Sequence, residues 1–343
     1  MRAVVFAGPG RVRVDEVPDP VLQDPADAIV AVEHAGICGT DLHLIAGGEH
    51  LPEGFTLGHE YTGRIVSLGD AVCGLRVGDR VVGGDFTACG ACWWCRHGDH
   101  WECPQRRFFG TGTSFGPPLP GAQAELVRVP YAGTVLRPVP DGVTGPAAVF
   151  LGDTLATALA AIGRGGLRPG GTVAVVGGGP VGQLTSLAAQ ACGAGVIVLA
   201  EPVASRRELA AAEGALAAAP EEARDRVDAV TDGRGADLVV DAVGGAAGLD
   251  AALGLVRRRG TVVSAGVPGR EWTLPARDAF ADELCLRFVI GDFLRDGDDL
   301  IALVRSGAID PTVLAPAAVP LVDAAQAYRD MAERRTLKGL ITF

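Results

Sequence analysis

The segment TVAVVGGGPVGQLTSLAAQACGA, residues 172–194, decides the fold of the second half of the chain. An apolar run typical of a buried strand leads into glycines and then into a helical pattern. The glycines have the G-x-G-x-x-G spacing, which lets a backbone approach a pyrophosphate at a helix N-terminus. The spacing alone is weak in a chain with 49 glycines, but its place between a strand and a helix favours a dinucleotide site. The cofactor-binding residues predicted here are Gly177, Gly179, Pro180, Val181 and Gly182.

Strand-like and helix-like segments alternate after this loop. They are the strand GVIVLAE, the helix SRRELAAAEGAL, the strand ADLVVDAVG, the helix AGLDAALGLVRRRG and the strand TVVSAGV. Such alternation predicts βαβ units on a parallel sheet that is covered on both faces. The alanine-rich stretch AAEGALAAAPEEA predicts a surface helix and a turn. We therefore predict a doubly wound, parallel-sheet domain of the Rossmann type over residues 155–290.

The first third of the chain has a different pattern. Short apolar alternations such as AIVAVEHAG, YTGRIVSLG and AELVRVP are broken by glycine, proline and aspartate, which predicts a compact, mainly β domain. The terminal KGLITF predicts a strand that returns to this domain. The chain is therefore predicted to be α/β, with a mainly β domain formed by residues 1–154 and 291–343.

The cofactor preference depends on Glu201, nineteen residues after Gly182 at the end of the second predicted strand. An acidic side chain at this point accepts hydrogen bonds from the ribose hydroxyls of an adenosine and repels a 2′-phosphate. The sequence therefore favours NAD over NADP. Arg206 and Arg207 follow shortly after and could still admit a phosphate, so NADP remains possible.

The overall composition excludes several classes of partner. The net charge is −11 and no basic block is present, so neither a nucleic acid nor an anionic membrane is an expected partner. No stretch approaches eighteen consecutive apolar residues, so no membrane-spanning helix is expected. The charged N-terminal sequence lacks the pattern of a signal peptide, which favours a cytoplasmic location, where thiols stay reduced.

Four of the eight cysteines lie within CGACWWCRHGDHWEC, residues 89–103. Their C-x2-C-x2-C-x7-C spacing suits a tetrahedral site with four thiolates and no open position, which is typical of structural zinc. Disulfides or an iron–sulfur cluster are the less favoured alternatives. The predicted structural-zinc ligands are Cys89, Cys92, Cys95 and Cys103, in a lobe of about residues 86–105. Trp93 and Trp94 are expected to pack or to form an interface, and Cys73, Cys192 and Cys285 are expected to be buried thiols.

The segments GICGTDLH, residues 36–43, and LGHEYTG, residues 57–63, carry the candidates for a second metal. Cys38 offers a thiolate and His59 a neutral imidazole, and both suit zinc. The neighbouring Glu60 can tune this metal or bind it transiently.

Two further pairings in these segments have a chemical meaning. Asp41 can orient His59 by accepting its second ring proton. Thr40 and His43 are three residues apart, which is the spacing for a hydroxyl to hand a proton to a solvent-facing imidazole.

Together these motifs resemble the zinc-dependent, medium-chain alcohol dehydrogenase family. The similarity includes G-H-E at 58–60, C-G-T-D-x-H at 38–43, the four-cysteine loop, G-D-R-V at 78–81 and the glycine pattern, and it covers essentially the entire chain. The resemblance implies a GroES-like β domain plus a Rossmann domain, with the active site in the cleft between them. It also implies a homo-oligomer, either a dimer or a tetramer.

The resemblance adds a third ligand for the catalytic zinc and two contacts to the cofactor. In FLGDTLATA, Asp153 takes the place of the usual cysteine, as in the branch that includes glutathione-independent formaldehyde dehydrogenases. Thr157 keeps the family's threonine on the nicotinamide side. Lys338 matches a basic position that reaches the pyrophosphate. Two zinc ions per chain, one catalytic and one structural, are therefore expected.

The implied reaction interconverts an alcohol with an aldehyde or ketone by hydride transfer to a nicotinamide. Zinc on Cys38, His59 and Asp153 lowers the pKa of the substrate hydroxyl, and Thr40 and His43 carry its proton to water. The alternatives with the same fold are a polyol or amino-alcohol dehydrogenase and a formaldehyde dehydrogenase or dismutase. Outside this class stand a zinc-free double-bond reductase and a non-catalytic nucleotide-binding relative.

Overall fold

The structure is a computed structural model that describes residues 1–47, 50–267, 271–315 and 317–343. The chain divides into two compact units. The first unit comprises Met1–Asp153 and Asp292–Phe343, and the second comprises Thr154–Gly291. Within the described ranges, no helix combines the length and the apolar character needed to cross a membrane.

Strands and α-helices are numbered in chain order over the described residues. The strands are β1 (Arg2–Phe6), β2 (Val12–Glu16), β3 (Ala28–Ile37), β4 (Glu60–Leu68), β5 (Arg80–Gly83), β6 (Phe86–Thr87), β7 (Arg107–Phe108), β8 (Leu126–Val129), β9 (Leu136–Pro138), β10 (Thr172–Val176), β11 (Val196–Ala200), β12 (Leu216–Ala218), β13 (Ala236–Asp241), β14 (Val256–Ser264), β15 (Cys285–Phe288), β16 (Val319–Pro320) and β17 (Gly339–Thr342). The helices are α1 (Gly39–Gly47), α2 (Trp93–Arg96), α3 (Ala132–Val135), α4 (Gly145–Val149), α5 (Thr154–Gly165), α6 (Pro180–Ala191), α7 (Ala204–Ala212), α8 (Ala223–Thr231), α9 (Gly245–Leu255), α10 (Ala276–Ala281), α11 (Phe293–Arg305) and α12 (Ala324–Ala332).

The first unit is built on a largely antiparallel sheet with the strand order β16-β17-β3-β4-β5-β9, in which β8 also pairs with β3. The predictions of a mainly β domain and of a terminal strand that returns to it are confirmed. Gly36 of β3 pairs with Glu60 of β4, and Ile37 pairs with Gly339 of β17. This register brings the end of β3 beside the beginnings of β4 and β17.

Helix α12 packs against the same region of the first unit. Its buried residues follow a helical period of three and four, which gives the helix one apolar face. These buried residues are Ala324, Ala327, Tyr328 and Met331. They belong to the same core cluster as Ile37 at the end of β3 and Ile45 of α1. The helix therefore stabilises the part of the sheet from which the candidate ligands project.

The second unit contains an entirely parallel sheet with the strand order β12-β11-β10-β13-β14-β15. Counted from β10, this is the order 3-2-1-4-5-6 of doubly wound dinucleotide-binding sheets. All five residues of β10 are buried, as expected for a strand that is covered on both faces. The predicted Rossmann architecture is confirmed.

Two local predictions in this unit are wrong. The predicted helix AGLDAALGLVRRRG ends at Leu255, because Val256 pairs with Ala236 of β13 and the arginine run continues as a strand. The alanine-rich stretch contains strand β12 after helix α7, because Leu216–Ala218 pairs with β11. In both places, pairing with a neighbouring strand outweighs the helical propensity of the segment.

The prediction that the three remaining cysteines are buried is also wrong. Cys73 and Cys192 are exposed, and Cys285 is half-buried. Cys192 caps the C-terminus of α6, and Cys285 begins strand β15 at the edge of its sheet. Both are positions at the ends of elements, where solvent reaches the side chain.

Candidate metal centres and cofactor site

The three ligands predicted for a catalytic metal lie together in the first unit. Cys38 directly follows β3, His59 directly precedes β4, and Asp153 lies four residues after α4. The Oδ2 atom of Asp153 is 3.4 Å from the Cys38 Sγ and 3.3 Å from the His59 Nε2. All three ligand atoms lie within 4.8 Å of one another.

These separations fit a tetrahedral zinc ion. With bonds of about 2.3 Å to sulfur and about 2.0–2.1 Å to nitrogen or oxygen, ligand atoms at the tetrahedral angle lie about 3.3–3.6 Å apart. The His59 Nε2 atom is buried and makes no hydrogen bond within the described residues, so it is available to a metal. Three protein ligands leave one tetrahedral position open, which is the arrangement of catalytic rather than structural zinc sites.

The electrostatic environment of this cluster also favours a cation. Burial lowers the pKa of His59, but the charge of Asp41 and the contact with Asp153 outweigh this effect and hold it well above its usual range. Burial raises the pKa of Asp153, yet the contact with His59 outweighs it and lowers the pKa to about 2. A divalent cation at this point would take the place of the ring proton of His59 and neutralise the carboxylate of Asp153.

Two glycines next to the ligands are required by the space around them. A Cβ atom on Gly36 would lie 1.9 Å from the Oε2 of Glu60. Gly58 has a φ of +92°, and its Cβ would lie 2.3 Å from the Cγ of Gln123. The glycines in the two motifs thus allow side chains to pack directly on the backbone beside Cys38 and His59.

Glu60 lies beside this cluster but forms a different contact. Its carboxylate pairs with the ammonium of Lys338 at 2.5–2.6 Å, and both side chains are almost completely buried. The three-residue metal group does not include Glu60. The predicted pyrophosphate contact of Lys338 stays a prediction.

The predicted proton-transfer pair lies on helix α1. Thr40 is half-buried and His43 is exposed. Residues three apart on a helix are neighbours on one face, so the pair connects an enclosed position with solvent. Asp41, between them in sequence, is fully buried and places its Oδ1 3.3 Å from the Nδ1 of His59.

The four clustered cysteines form a second candidate metal centre. Their sulfur atoms all lie within 4.8 Å of one another. The Cys92 and Cys95 sulfurs are 3.4 Å apart and the Cys89 and Cys95 sulfurs 3.9 Å, far longer than a disulfide bond of about 2.05 Å. Four sulfurs around zinc are expected about 3.8 Å apart, so the spacing fits a closed site with four cysteine ligands.

The backbone of this loop favours the thiolate of Cys89, whereas burial raises the pKa of Cys95 and of Cys103. Burial raises the pKa of Cys89, but the backbone N–H groups of Ala91 and Cys92 outweigh it and lower the pKa to about 7.

The same loop carries an exposed aromatic pair, since Trp93 is 62% exposed and Trp94 40% exposed. Trp93 stacks on His97 with ring centroids 4.0 Å apart.

The glycine loop of the second unit has the geometry of a phosphate cradle. Gly177 has a φ of +96°, and a Cβ on Gly182 would lie 1.8 Å from the carbonyl oxygen of Gly177. A Cβ on Gly179 meets nothing within 4 Å. Gly177 therefore makes the turn and Gly182 brings the helix close to the strand, while Gly179, the N-cap of α6 before Pro180, leaves space for a ligand.

The predicted ribose-binding carboxylate lies next to this loop. Glu201 is buried, and its two oxygens accept hydrogen bonds from the backbone N–H groups of Gly178 at 2.7 Å and Val203 at 2.8 Å. The Arg206 guanidinium is 4.0 Å from the same carboxylate. Thr157 is buried in α5 of the same unit.

Two further buried residues, Gln123 and Asp85, lie beside the ligands, and sequence reasoning missed Gln123. Gln123 donates hydrogen bonds from its amide to the carbonyl oxygen of Gly36 and to Asp41. Asp85 is a buried carboxyl whose backbone N–H donates to the carbonyl oxygen of Gly152, next to Asp153. A charged residue inside the apolar context VVGGDFTA is the one available signal for Asp85.

An antiparallel unit with two metal-ligand clusters, joined in one chain to a Rossmann unit, defines a zinc-dependent oxidoreductase. Comparison with known families agrees. Residues 24–141 match the alcohol dehydrogenase GroES-like domain, and residues 180–305 match the zinc-binding dehydrogenase domain.

Individual relatives cover almost the whole chain. A probable zinc-binding alcohol dehydrogenase of Mycobacterium tuberculosis is 39% identical over 96% of this chain and 84% of its own. The solved structure of an alcohol dehydrogenase from Thermus sp. ATN1 has 39% identity and a TM-score of 0.96, covering 100% of this chain and 99% of that one. A putative zinc-binding dehydrogenase from Sinorhizobium meliloti, solved with NADP, has 30% identity and a TM-score of 0.85, covering 100% and 99%.

The chain therefore belongs to the zinc-binding, medium-chain alcohol dehydrogenase family, whose members interconvert alcohols with aldehydes or ketones using NAD(P).

Two glycine substitutions should separate the roles of the loop. We expect Gly182→Ala to destabilise the protein by about 1–3 kcal/mol, because its Cβ would overlap a backbone carbonyl. Gly179→Ala should change stability by less than about 0.5 kcal/mol, because open space surrounds it, yet weaken dinucleotide binding. Thermal unfolding and NADH fluorescence titration measure the two effects. Unchanged NADH binding in Gly179→Ala would argue against a phosphate beside this residue.

Proposed function

We propose that this protein reversibly oxidises an alcohol to an aldehyde or ketone with NAD, using one catalytic and one structural zinc ion per chain. The observation that carries the proposal is the difference between the two clusters. Cys38, His59 and Asp153 supply three ligand atoms within 4.8 Å, whereas the cysteine loop supplies four. Three ligands leave a position for substrate, and four do not.

A zinc ion at the three-ligand site would supply a Lewis acid that makes an alcohol hydroxyl easier to deprotonate. The residues of the chain then have to accept and remove the proton. We assign the first step to the hydroxyl of Thr40, which is half-buried, and the second to the imidazole of His43, which is exposed on the same helix. Glu60 is proposed as a nearby anion that tunes the site while it is paired with Lys338.

The preference for NAD is supported by the position of Glu201. Its carboxylate follows β11 and is fixed by two backbone N–H groups beside the glycine loop. A fixed negative charge at this point suits two ribose hydroxyls and repels a 2′-phosphate. Arg206 lies 4.0 Å from that carboxylate, so its positive charge is already partly balanced.

A homo-oligomer in the cytoplasm completes the proposal. The support for assembly is the exposed Trp93 and Trp94 pair, because large aromatic side chains are enriched at protein interfaces. The support for the compartment is chemical, since both metal clusters need reduced thiolates.

Zinc content tests the two-metal proposal. We expect about two zinc ions in the wild type and about one in Asp153→Ala, with turnover reduced by roughly 100-fold or more because a Lewis-acid contribution of several kcal/mol is lost. Cys192→Ala serves as a control, because this exposed thiol lies outside both clusters and its removal should leave zinc and turnover unchanged. Wild-type zinc and turnover in Asp153→Ala would refute the ligand assignment.

Cofactor kinetics test Glu201. We expect Glu201→Gln to reduce kcat/KM for NAD by roughly 10-fold, since a hydrogen bond to a charged group contributes about 1.5–3 kcal/mol. The same variant should gain activity with NADP, because the charge that repels a 2′-phosphate is absent. The ratio of kcat/KM values for the two cofactors is the readout. A wild type that prefers NADP would contradict the proposal.

One observation favours a second candidate, the oxidation of a polyol or an amino alcohol. The carboxyl of Asp85 is buried, and the backbone N–H of this residue donates to the carbonyl oxygen of Gly152, next to Asp153. Burial and the charge of Asp153 raise its pKa well above the usual range. A buried carboxyl next to the proposed ligand Asp153 favours a substrate with a second polar group that hydrogen-bonds to it.

A substrate panel distinguishes the two candidates. We expect Asp85→Leu to reduce kcat/KM for diols and amino alcohols by at least about 10-fold relative to simple alcohols of the same length, because the second polar group of the substrate loses its hydrogen-bond partner. Asp85→Asn should give an intermediate result for diols. Equal effects on all substrates would assign Asp85 to the stability of the site, and the simple-alcohol proposal would stand.

A further inference from the structure

A chain of buried hydrogen bonds connects helix α12 to the candidate catalytic metal site. The Tyr328 hydroxyl donates to the Gln123 Oε1 at 2.8 Å. The Gln123 Nε2 donates to the Gly36 carbonyl oxygen at 2.8 Å and to the Asp41 Oδ2 at 3.3 Å. The contacts thus run from a side chain of α12 to the strand end and the carboxylate beside the ligands.

Asp41 forms the link to the ligands themselves. Its Oδ2 accepts a hydrogen bond from the backbone N–H of Cys38 at 2.9 Å, and its Oδ1 lies 3.3 Å from the Nδ1 of His59. One carboxylate therefore contacts the backbone of the sulfur ligand and the ring of the nitrogen ligand. The orientation of the Asp41 carboxylate therefore sets the orientation of Cys38 and of His59.

The direction of each hydrogen bond around Gln123 is determined by which groups can donate and which can only accept. The carbonyl of Gly36 and the carboxylate of Asp41 can only accept, so the amide nitrogen of Gln123 has to face them. The amide oxygen then faces Tyr328, whose hydroxyl has to donate. No other arrangement of the Gln123 amide satisfies all three partners.

Burial makes these contacts persistent. Gln123 and Asp41 are 0% exposed, His59 is 1% exposed and Tyr328 is 3% exposed. Water does not compete for hydrogen bonds at such positions, and each bond strengthens its neighbours in a medium of low dielectric constant. Gln123 is also confined by packing, because its Cγ occupies the space beside Gly58 where a Cβ would lie at 2.3 Å.

We propose that Gln123 and Tyr328 are positioning residues for the catalytic metal, which hold Asp41 so that Asp41 can hold Cys38 and His59. The proposal rests on the proposed function, since it needs a metal on those two ligands. Partners outside the ligands often change metal affinity by about 10- to 100-fold when they are removed. Retention of the metal is therefore coupled to the packing of α12 in the first unit.

The test follows zinc release from the purified holoenzyme to a chromophoric chelator. Gln123→Leu keeps the approximate size of the side chain and removes all three hydrogen bonds, and Tyr328→Phe removes a single hydroxyl. We expect one zinc per chain to leave about 10-fold faster in each variant than in the wild type. The second zinc, held by the four cysteines, should leave at the wild-type rate and acts as an internal reference.

The double variant distinguishes a chain of contacts from two separate structural effects. Tyr328 acts through Gln123, so Tyr328→Phe should add nothing to the release rate in a Gln123→Leu background. Tyr61→Phe is the matched control, because it removes another fully buried hydroxyl that makes no hydrogen bond within the described residues, and its release rate should equal that of the wild type.

Three outcomes would contradict these proposals. Wild-type release rates in both single variants, with or without a lower Tm, would overturn the positioning role. Independent, multiplicative effects in the double variant would overturn the connection through Gln123. A wild type that holds only the zinc of the four-cysteine loop would refute the proposed catalytic metal itself, which is a different failure.

Discussion

The antiparallel pairing of β3 with β4 and β17 is the constraint on which the candidate active site depends. The register sets Gly36 opposite Glu60 and Ile37 opposite Gly339. The residues next to these pairs along the chain are Cys38, His59 and Lys338. Backbone hydrogen bonds between the strands therefore fix the positions of their Cα atoms. A shift by one residue would turn these side chains to the opposite face of the sheet. The metal geometry is thus a consequence of strand register.

The same register buries the carboxylate of Glu60, and the ammonium of Lys338 compensates its negative charge. Glu60 is fully buried next to the anionic ligands Cys38 and Asp153, and burial raises its pKa. Burial lowers the pKa of Lys338, but the charge of Glu60 outweighs it and the net pKa is raised. A buried pair of this kind contributes little stability by itself. Its effect is to compensate Glu60, so that the negative charge of the three ligands remains for a cation.

Spacing in the sequence predicted what is local, whereas the distant ligand Asp153 came from the family resemblance and the buried long-range contacts were not predicted. The glycine loop, the cysteine loop and the βαβ alternation each lie within short segments, where spacing alone carries the information. The pairs Lys338–Glu60 and Tyr328–Gln123 join residues that are 278 and 205 positions apart in the sequence. No periodicity in the sequence predicts these contacts. Strand pairing also overrode a helical pattern at Val256. Long-range pairing is therefore the part that only the fold supplies.

This difference in sequence distance separates the two metal clusters physically. The cysteine ligands span residues 89–103, so bringing them together closes a short loop at low entropic cost. Cys38 and Asp153 are 115 residues apart, and their meeting requires the complete sheet. The three-ligand cluster can therefore exist only in the folded first unit, and binding free energy at that cluster is also folding free energy of the sheet that aligns it. A site with an open position needs this rigidity more than a closed one, because its fourth ligand is the substrate.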